Sequence, residues 1–328
     1  MASFNEYGDI TPRTAAHAVA KLLRRALPHL VIEKFGQVYQ MPTKATKVAK
    51  FRKYNALALT TVPLVEGVTP TGKKITVTDV SVTLEQWGDY VEFTEVIQDT
   101  HEDPFLMETM GVLGEQAAQS IETVRWNVIK AGSNVFLANG SLRSDVNTPI
   151  SLALQRKCTR ALKRQNASPF TSVVKSTPDY RTEAVEAAYI ALCHTDVEND
   201  IRGMDGYINP KQYGTSTPWS NEVGAVEDVR YLRSTIFTAF ANAGAATSTM
   251  VSTGGSLADV YPVIYLAKDA YGIVPLKGKA SVSIAVVQPK PVAGDPLGQR
   301  GTAGWKVMQQ AVILQDAFMV RAEVAATD

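Results

Sequence analysis

Residues 104–137 read PFLMETMGVLGEQAAQSIETVRWNVIKAGSNVFL and contain the strongest helical pattern of the chain. Asp103 is a good N-cap residue, and Pro104 suits the first position of a helix. Apolar side chains then recur at steps of three, four or seven residues, which places them on one face of a helix: Leu106, Met110, Leu113, Ala117, Ile121, Val124, Val128 and Val135. The pattern predicts a single helix of about 30 residues and about 45 Å.

The segment before this helix, residues 37–98, is rich in strand-forming residues and predicts extended chain. A turn cluster at residues 66–72 divides it into two runs. The alternation of apolar residues changes phase near Asp79, which predicts a β-bulge there. Two strands cannot bury a core of their own, so we expect this projecting segment to lie on another surface.

The rest of the chain predicts a mixture of helices and strands. The pattern favours helices at 150–165, 181–194 and 221–233, and strands at 260–266, 280–288, 307–314 and 317–324. At the other end, Thr11 and Pro12 begin an amphipathic helical pattern that Pro28 ends. We expect that helix to lie on the body of the protein.

Charge is distributed unevenly over the first 124 residues. Residues 34–74 contain eight basic side chains opposed by Glu66 alone, whereas residues 79–124 contain eleven acidic side chains and no lysine or arginine. Pairing across a hairpin within one chain, or simply two solvated faces, would explain this pattern. Alternatively, the basic segment of one copy lies over the acidic segment of the next, in a head-to-tail contact that builds rings or lattices. The charge pattern alone leaves these explanations open.

The head-to-tail hypothesis names two groups of residues as a contact between subunits. The basic group on one copy and the acidic group on the next are Lys44, Lys47, Lys50, Arg52 and Lys53 with Glu92, Glu95, Glu102, Glu108 and Glu115.

Composition excludes several functions. The 328 residues carry 33 basic and 32 acidic side chains, a net charge of +1, whereas proteins that bind nucleic acid without sequence specificity normally need a basic surplus. Cys158 and Cys193 are far apart, which favours a reducing compartment over a disulfide-stabilised secreted protein. The sequence lacks a signal-peptide pattern and any apolar window of about 18 residues. We therefore expect a soluble protein made in the cytoplasm, with no membrane partner.

No motif predicts catalysis. HExxH, GxSxG, the P-loop and the dinucleotide fingerprint are all absent from the sequence. The glycines of residues 294–304 lack the following helix of a phosphate loop and predict a turn or hinge. Residues 194–200 are acidic but do not have calcium-loop spacing, so the start of a helix is the better interpretation. We predict a non-enzymatic protein with no catalytic residue, cofactor or metal site.

Several short stretches resemble the major capsid proteins of tailed bacteriophages, in the branch typified by the coat protein of short-tailed phage N-four. Among them are FRKY at 51–54, EGVTP at 66–70, LEQWGDYV at 84–91 and DPLGQRG at 295–301. Further matching stretches lie at 41–42, 103–104, 221–224, 229–230 and 304–306. Each stretch is short, but their order and spacing over residues 35–325 are specific.

The resemblance implies the Hong Kong-type capsid fold, an α+β fold. Its parts are an N-terminal arm, an extended β-hairpin loop, a peripheral domain with a long spine helix, and an axial domain. Placed on this sequence, they are the arm at 1–36, the extended loop at 37–90, the peripheral domain at 91–149 and 290–328, and the axial domain at 150–289. The spine helix would be the one predicted at about 104–137.

The resemblance also implies a function and partners. The chain would self-assemble into hexamers and pentamers of an icosahedral phage head enclosing double-stranded DNA, which it would contact weakly and without sequence specificity. Assembly would occur in the host bacterial cytoplasm, and the protein would end in the virion. Partners would be other copies and the portal protein, with scaffolding and decoration proteins as further candidates. A cargo-holding encapsulin cage of the same fold is the alternative. Some members of the fold crosslink lysine to asparagine, but no motif here requires it and we expect none.

Overall fold

The computed structural model describes residues 30–44, 46–55, 57–100, 105–170, 188–213, 218–277, 282–291 and 296–328. The helix predicted from Thr11 to Pro28 lies outside these residues, as do Asp103, Pro104 and the candidate contact residue Glu102.

The described elements are four α-helices and fourteen strands. The helices are α1 (Glu95–Thr100), α2 (Phe105–Ile129), α3 (Leu152–Arg164) and α4 (Glu198–Arg202). The strands of the first half are β1 (Gln37–Val38), β2 (Val48–Tyr54), β3 (Val77–Thr83), β4 (Glu85–Thr94), β5 (Val135–Leu137), β6 (Tyr189–Cys193) and β7 (Tyr207–Ile208). Those of the second half are β8 (Glu222–Val226), β9 (Val229–Arg233), β10 (Tyr261–Leu266), β11 (Tyr271–Pro275), β12 (Ser283–Val287), β13 (Arg300–Ile313) and β14 (Met319–Val324).

These strands form three sheets. A seven-stranded sheet has the order β5-β14-β10-β6-β9-β8-β7. In a five-stranded sheet, β13 pairs antiparallel with β4 along one edge and with β12 and β11 along the other, and β1 adds to β11 in parallel. The third sheet is the two-stranded hairpin of β2 and β3.

The seven-stranded sheet is buried on both faces because its side chains alternate between two cores. Tyr189, Ala191 and Cys193 of β6 face the core that contains α3. Ile190 and Leu192 face the opposite core, which contains the end of α2. This sheet therefore holds the two long helices on opposite sides.

Helix α2 confirms the predicted helical pattern in its first part and differs in its second. Met110, Leu113, Ala117 and Ile121 pack on the five-stranded sheet. In the second half Trp126 and Ile129 are buried instead of Val124 and Val128, because this half packs on the seven-stranded sheet. The buried face therefore shifts around the helix from one sheet to the other.

The predicted end of this helix at residue 137 was wrong, since α2 ends at Ile129. Gly132 follows, and the backbone N–H of Ser133 donates to Asp316 Oδ1 at 3.0 Å. Residues 135–137 form β5, parallel to β14. A turn at residues 130–131 thus follows the helix, Asp316 from a distant part of the chain binds Ser133, and the apolar residues beyond extend the sheet.

Two further helix predictions were wrong. Residues 189–193, within the predicted helix 181–194, form β6, while residues 181–187 lie outside the described part. Residues 221–233 form the hairpin of β8 and β9, with Glu227 at a φ of 49° in its turn. Both strands of this hairpin are largely buried, and a short apolar run that is buried on two faces does not show the period-two alternation of a strand.

The bulge predicted near Asp79 was also wrong. The β2–β3 ladder pairs residue for residue from Val48 opposite Thr83 to Tyr54 opposite Val77. The phase change arises because Val80 and Val82 are covered by the protein, whereas Ile75 and Val77 are apolar residues in exposed positions. The predicted helix at 150–165 and the strands at 260–266 and 280–288 correspond to α3, β10 and β12.

Close backbone approach holds β4 against β13. A Cβ atom at Gly304 would lie 2.7 Å from Tyr90 Cβ and 2.9 Å from the carbonyl oxygen of Asp89. Only glycine fits there without displacing β4. Gly304 therefore belongs to a strand, and the turn predicted for residues 294–304 ends before Arg300.

Candidate subunit-contact surfaces

The hairpin formed by β2, β3 and the chain between them has almost no core of its own. Ala49 and Val82 are buried, but every described residue from 57 to 79 is exposed. Leu59, Val62 and Leu64 are 92%, 73% and 76% exposed. A row of large exposed apolar side chains is typical of an interaction surface.

The basic group lies on this hairpin and the segment leading into it. Lys44, Lys47, Lys50, Arg52 and Lys53 are all exposed. Arg52 binds Asp79 of the opposite strand with Nε–Oδ1 at 2.8 Å and Nη2–Oδ2 at 2.9 Å. This ion pair lowers the pKa of the Asp79 carboxyl and raises that of Arg52. Arg52 therefore pairs with an acidic residue across the hairpin of its own chain, as expected if the charge pattern reflects pairing within one chain.

The other basic residues differ in their contacts. Lys53 Nζ donates to Gln315 Oε1, which ties the end of β2 next to the connecting loop to the chain between β13 and β14. Within the described residues, the ion pair made by the basic group is the one between Arg52 and Asp79. Lys44, Lys47 and Lys50 are exposed.

The acidic group lies on a second surface, formed by β4, α1 and α2. Glu92 is exposed on β4 opposite Thr302, and Glu108 is exposed on α2. Glu95 and Glu115 are partly buried. Tyr90, Val91, Val96, Ile97 and Val112 add exposed apolar area to the same elements. The surface therefore combines negative charge with apolar side chains, and the hairpin combines positive charge with apolar side chains.

Glu122 has a role that sequence reasoning missed. It was counted with the acidic segment, but its side chain is fully buried, and Oε1 accepts hydrogen bonds from the backbone N–H groups of Val31 and Ile32, both at 2.8 Å. The sequence carried a signal, because Ala118 and Trp126, four residues before and after Glu122 on the same helix face, are apolar. Glu122 thus fixes the chain that leads out of the N-terminal segment onto α2.

Burial dominates the electrostatics of Glu122. It raises the pKa of the carboxyl to about 7, against the two backbone donors and nearby Arg125, which lower it. Oε2 is buried and has no hydrogen-bond partner among the described residues, so a proton there costs less than a charge. Around it, Arg125 contacts Glu33 at 3.1 Å, and Tyr271 OH donates to the Ile32 carbonyl oxygen.

The described residues contain no group of three or more histidine, cysteine or acidic side chains that could hold a metal ion. Cys158 and Cys193 are buried free thiols, and burial raises the pKa of Cys158 to about 12. None of the helices in the described part is long and apolar enough to span a membrane.

Comparison with known proteins identifies the class of protein to which this fold belongs. The fold closely resembles that of the capsid of Ralstonia phage GP4, with a TM-score of 0.65, 13% identity, and coverage of 89% of this chain and 87% of that one. The capsid asymmetric unit of cyanophage Pam1 matches with a TM-score of 0.61 at 14% identity over 89% of each chain. The head of Helicobacter pylori bacteriophage KHP40 matches with a TM-score of 0.58 at 10% identity, over 88% of this chain and 87% of that one. A search of curated protein sequences finds no match.

These likenesses define an α+β shell-forming fold of the Hong Kong type, as predicted. The sequence profile described as phage capsid protein matches residues 76–309, most of the chain. The chain therefore belongs to the phage capsid protein family and is a structural subunit of a capsid, which confirms the predicted class. The narrower resemblance to the N-four branch and the domain boundaries stay predictions.

Proposed function

We propose that this chain self-assembles into hexamers and pentamers of an icosahedral head that encloses double-stranded DNA, and that the hairpin of one copy lies on β4, α1 and α2 of its neighbour. The observation that carries this proposal is the hairpin itself. Its described residues from 57 to 79 are all exposed, including eight large apolar side chains: Leu57, Leu59, Val62, Leu64, Val65, Val68, Ile75 and Val77. Burying each such side chain contributes about 1.5–3 kcal/mol.

The receiving surface is complementary in chemistry. It offers Tyr90 and Val112, which are 63% and 58% exposed, beside the exposed carboxylates of Glu92 and Glu108. A hairpin that presents lysines next to leucines and valines matches such a surface in both charge and hydrophobicity. Because the two surfaces differ, the contact is heterologous, and successive copies close into rings.

The parts of the capsid fold divide the chain as the sequence resemblance implies. The extended loop comprises 37–90, the peripheral domain 91–149 and 290–328, and the axial domain 150–289, with 1–36 as the arm. Other copies are the main partner, and the portal protein, scaffolding proteins and decoration proteins are further partners in a complete head. The head assembles in the host bacterial cytoplasm, and the subunit has no catalytic role. Phage capsids among the comparisons favour a DNA-containing head over a cargo cage.

Expression of the full chain alone, followed by sedimentation and electron microscopy, tests the proposal. We expect capsomers or closed shells. A deletion of residues 57–76, joined by a short glycine linker, should leave a folded subunit that sediments as a monomer. Shells of normal size from the deletion variant, or a full chain that stays monomeric at high concentration, would overturn the proposal.

A further inference from the structure

Helix α3 is unusual in charge. Its sequence, LALQRKCTRALKR, contains five basic residues and no acidic one. Arg156, Lys157, Arg160, Lys163 and Arg164 are all exposed. The opposite face, with Leu154, Cys158 and Leu162, is buried in the core of the seven-stranded sheet. All five basic side chains therefore lie on the exposed face of the helix.

The buried face fixes the helix firmly. The Gln155 side-chain amide donates to the Val226 carbonyl oxygen at 2.7 Å, and Tyr231 OH donates to Gln155 Oε1 at 2.7 Å. Ser151 Oγ caps the N-terminus by accepting from Leu154 N–H at 3.3 Å. The five cations are thus displayed on a rigid element.

Two carboxylates in the turn between β8 and β9 oppose part of this charge. Glu227 pairs with Arg156, with Arg156 Nε 3.0 Å from Glu227 Oε1, and Asp228 pairs with Lys163. Lys157, Arg160 and Arg164 make no ion pair within the described residues. Five cations against two carboxylates leave a local charge of +3. An open cavity of about 520 Å³ between the helix and this turn is lined by Arg156, Arg160, Lys163 and Arg164 and by the carboxylates of Glu227 and Asp228.

An ordinary solvated helix face explains this pattern poorly. Such faces usually alternate positive and negative charge. Here Arg156, Arg160 and Arg164 repeat the same charge at a spacing of four residues, which destabilises a helix by repulsion. The negative end of the helix dipole favours cations in the last turn, but that argument does not reach Lys157 or Arg160. A bound polyanion would remove the repulsion.

We infer that the exposed face of α3 binds the phosphate backbone of double-stranded nucleic acid without sequence specificity. Arginine guanidinium groups match phosphate geometry with paired hydrogen bonds. From Arg156 to Arg164 the helix advances about 12 Å, over which duplex DNA carries roughly seven phosphate charges. The described face of α3 carries no aromatic side chain for stacking on unpaired bases, which favours duplex over single strand.

The inference rests on the proposed function, since the head would bring many copies of this helix to one DNA molecule. Three unpaired cations give weak binding at each copy, and repetition across a shell makes weak sites effective together. This local site is compatible with the net charge of +1 for the whole chain, because the opposing acidic residues lie elsewhere.

Binding of full-length unassembled subunits to a fluorescent 30-base-pair duplex, measured by anisotropy over a range of NaCl concentrations, tests the inference. Removal of three phosphate contacts should lower the slope of log affinity against log salt by about 2.7 and weaken binding at low salt at least about tenfold. The variant is Lys157→Gln/Arg160→Gln/Arg164→Gln. The control, Lys211→Gln/Lys277→Gln/Lys306→Gln, removes the same charge from exposed positions elsewhere and should bind as the wild type does.

Three outcomes would overturn the inference: no duplex binding by the wild type, equal binding by the variant, or an equal loss in the control. A fourth would be tight binding of a polyglutamate peptide without binding of the duplex, since the face would then serve an acidic protein. Circular dichroism checks that each variant is folded. The same variant should still form shells, so lost DNA binding with normal shells separates this inference from the proposed function.

Discussion

Glu122 Oε1 lies 2.8 Å from the backbone nitrogen of Ile32, a contact between residues 90 positions apart in the chain. It joins the middle of the longest described helix to the segment that emerges from the N-terminal region. The same segment places Val31 and Ile32 in the core beneath the seven-stranded sheet, beside Trp126. The chain at Val31 and Ile32 is therefore attached through a buried carboxylate as well as through apolar packing.

The stability of this attachment depends on pH. The ordinary pKa of the glutamate is 4.5, and burial raises that of Glu122 to about 7. Because the folded pKa lies above the unfolded one, this contribution to stability is complete below about pH 4.5 and is lost as the pH rises through about 7. The charged groups facing Glu122 are Arg125 on its own helix and Glu33 shortly before β1, and Tyr271 lies nearby on β11.

Glu122→Gln removes this titration while keeping the side-chain shape. Between about pH 5 and 8, wild-type subunits should lose about 2 kcal/mol of unfolding free energy relative to the variant. Urea unfolding of dissociated subunits across this range measures the difference. Glu66→Gln, which removes an exposed carboxylate of the hairpin, is the control and should keep the wild-type pH dependence. Parallel pH curves for wild type and Glu122→Gln would contradict the assignment.

The exposed apolar residues of the hairpin should matter for assembly and not for the subunit. Leu59→Ser/Leu64→Ser removes two side chains that contact water in the isolated chain, so the unfolding free energy should change by less than about 0.5 kcal/mol. Sedimentation should nevertheless show a shift from shells to free subunits, because those side chains are buried in the proposed contact. Leu142→Ser, at another position with an exposed leucine, is the matched control. Normal shells from the double variant would count against the contact.

Charge reversal tests the electrostatic part of the same contact. The structure divides the basic group into two sets. Arg52 and Lys53 bind Asp79 and Gln315 of their own chain, whereas Lys44, Lys47 and Lys50 make no ion pair within the described residues. Lys44→Glu/Lys47→Glu/Lys50→Glu should therefore block assembly and leave the subunit folded, whereas Lys211→Glu/Lys268→Glu/Lys277→Glu should assemble.

Salt dependence gives a second readout of those variants. Exposed ion pairs are screened as ionic strength increases, so wild-type assembly measured by light scattering should slow between 50 mM and 500 mM NaCl. Assembly that is insensitive to salt, together with normal shells from the reversed variant, would leave the apolar residues as the sole basis of the contact.

Gly304 tests the packing between β4 and β13. Gly304→Ala places a Cβ atom 2.7 Å from Tyr90 Cβ, and relief of this overlap should destabilise the subunit by about 1–3 kcal/mol. A lower urea midpoint is expected. Gly72→Ala, where a Cβ atom meets nothing within 4 Å, is the control and should leave the midpoint unchanged.

How far the sequence predicts this structure depends on the surroundings of each element. The first half of α2 packs one face on one sheet, so Met110, Leu113 and Ala117 follow the helical period and were predicted. The β8–β9 hairpin is buried on both faces, so Val223, Val226 and Val229 show no alternation, and the segment was predicted as a helix. The spacing of apolar residues predicts an element only where one of its faces packs on the core and the other meets water. Where both faces are buried, the spacing no longer distinguishes a strand from a helix.

The candidate surfaces show a similar limit. The charge segregation placed lysines and carboxylates on two different elements, as the structure does, but it could not distinguish Arg52, which pairs with Asp79, from Lys50 on the same strand. It also counted Glu122 among surface acids, because burial of a carboxylate depends on backbone donors 90 residues away. Whether the two surfaces meet between copies stays a prediction.

Electron cryomicroscopy of shells assembled from the full chain tests that prediction most directly. A map that traces residues 57–76 should show them on β4, α1 and α2 of an adjacent subunit, with the lysines of the hairpin beside Glu92 and Glu108. A hairpin that packs only on its own chain, or projects into solvent without touching another copy, would contradict the account.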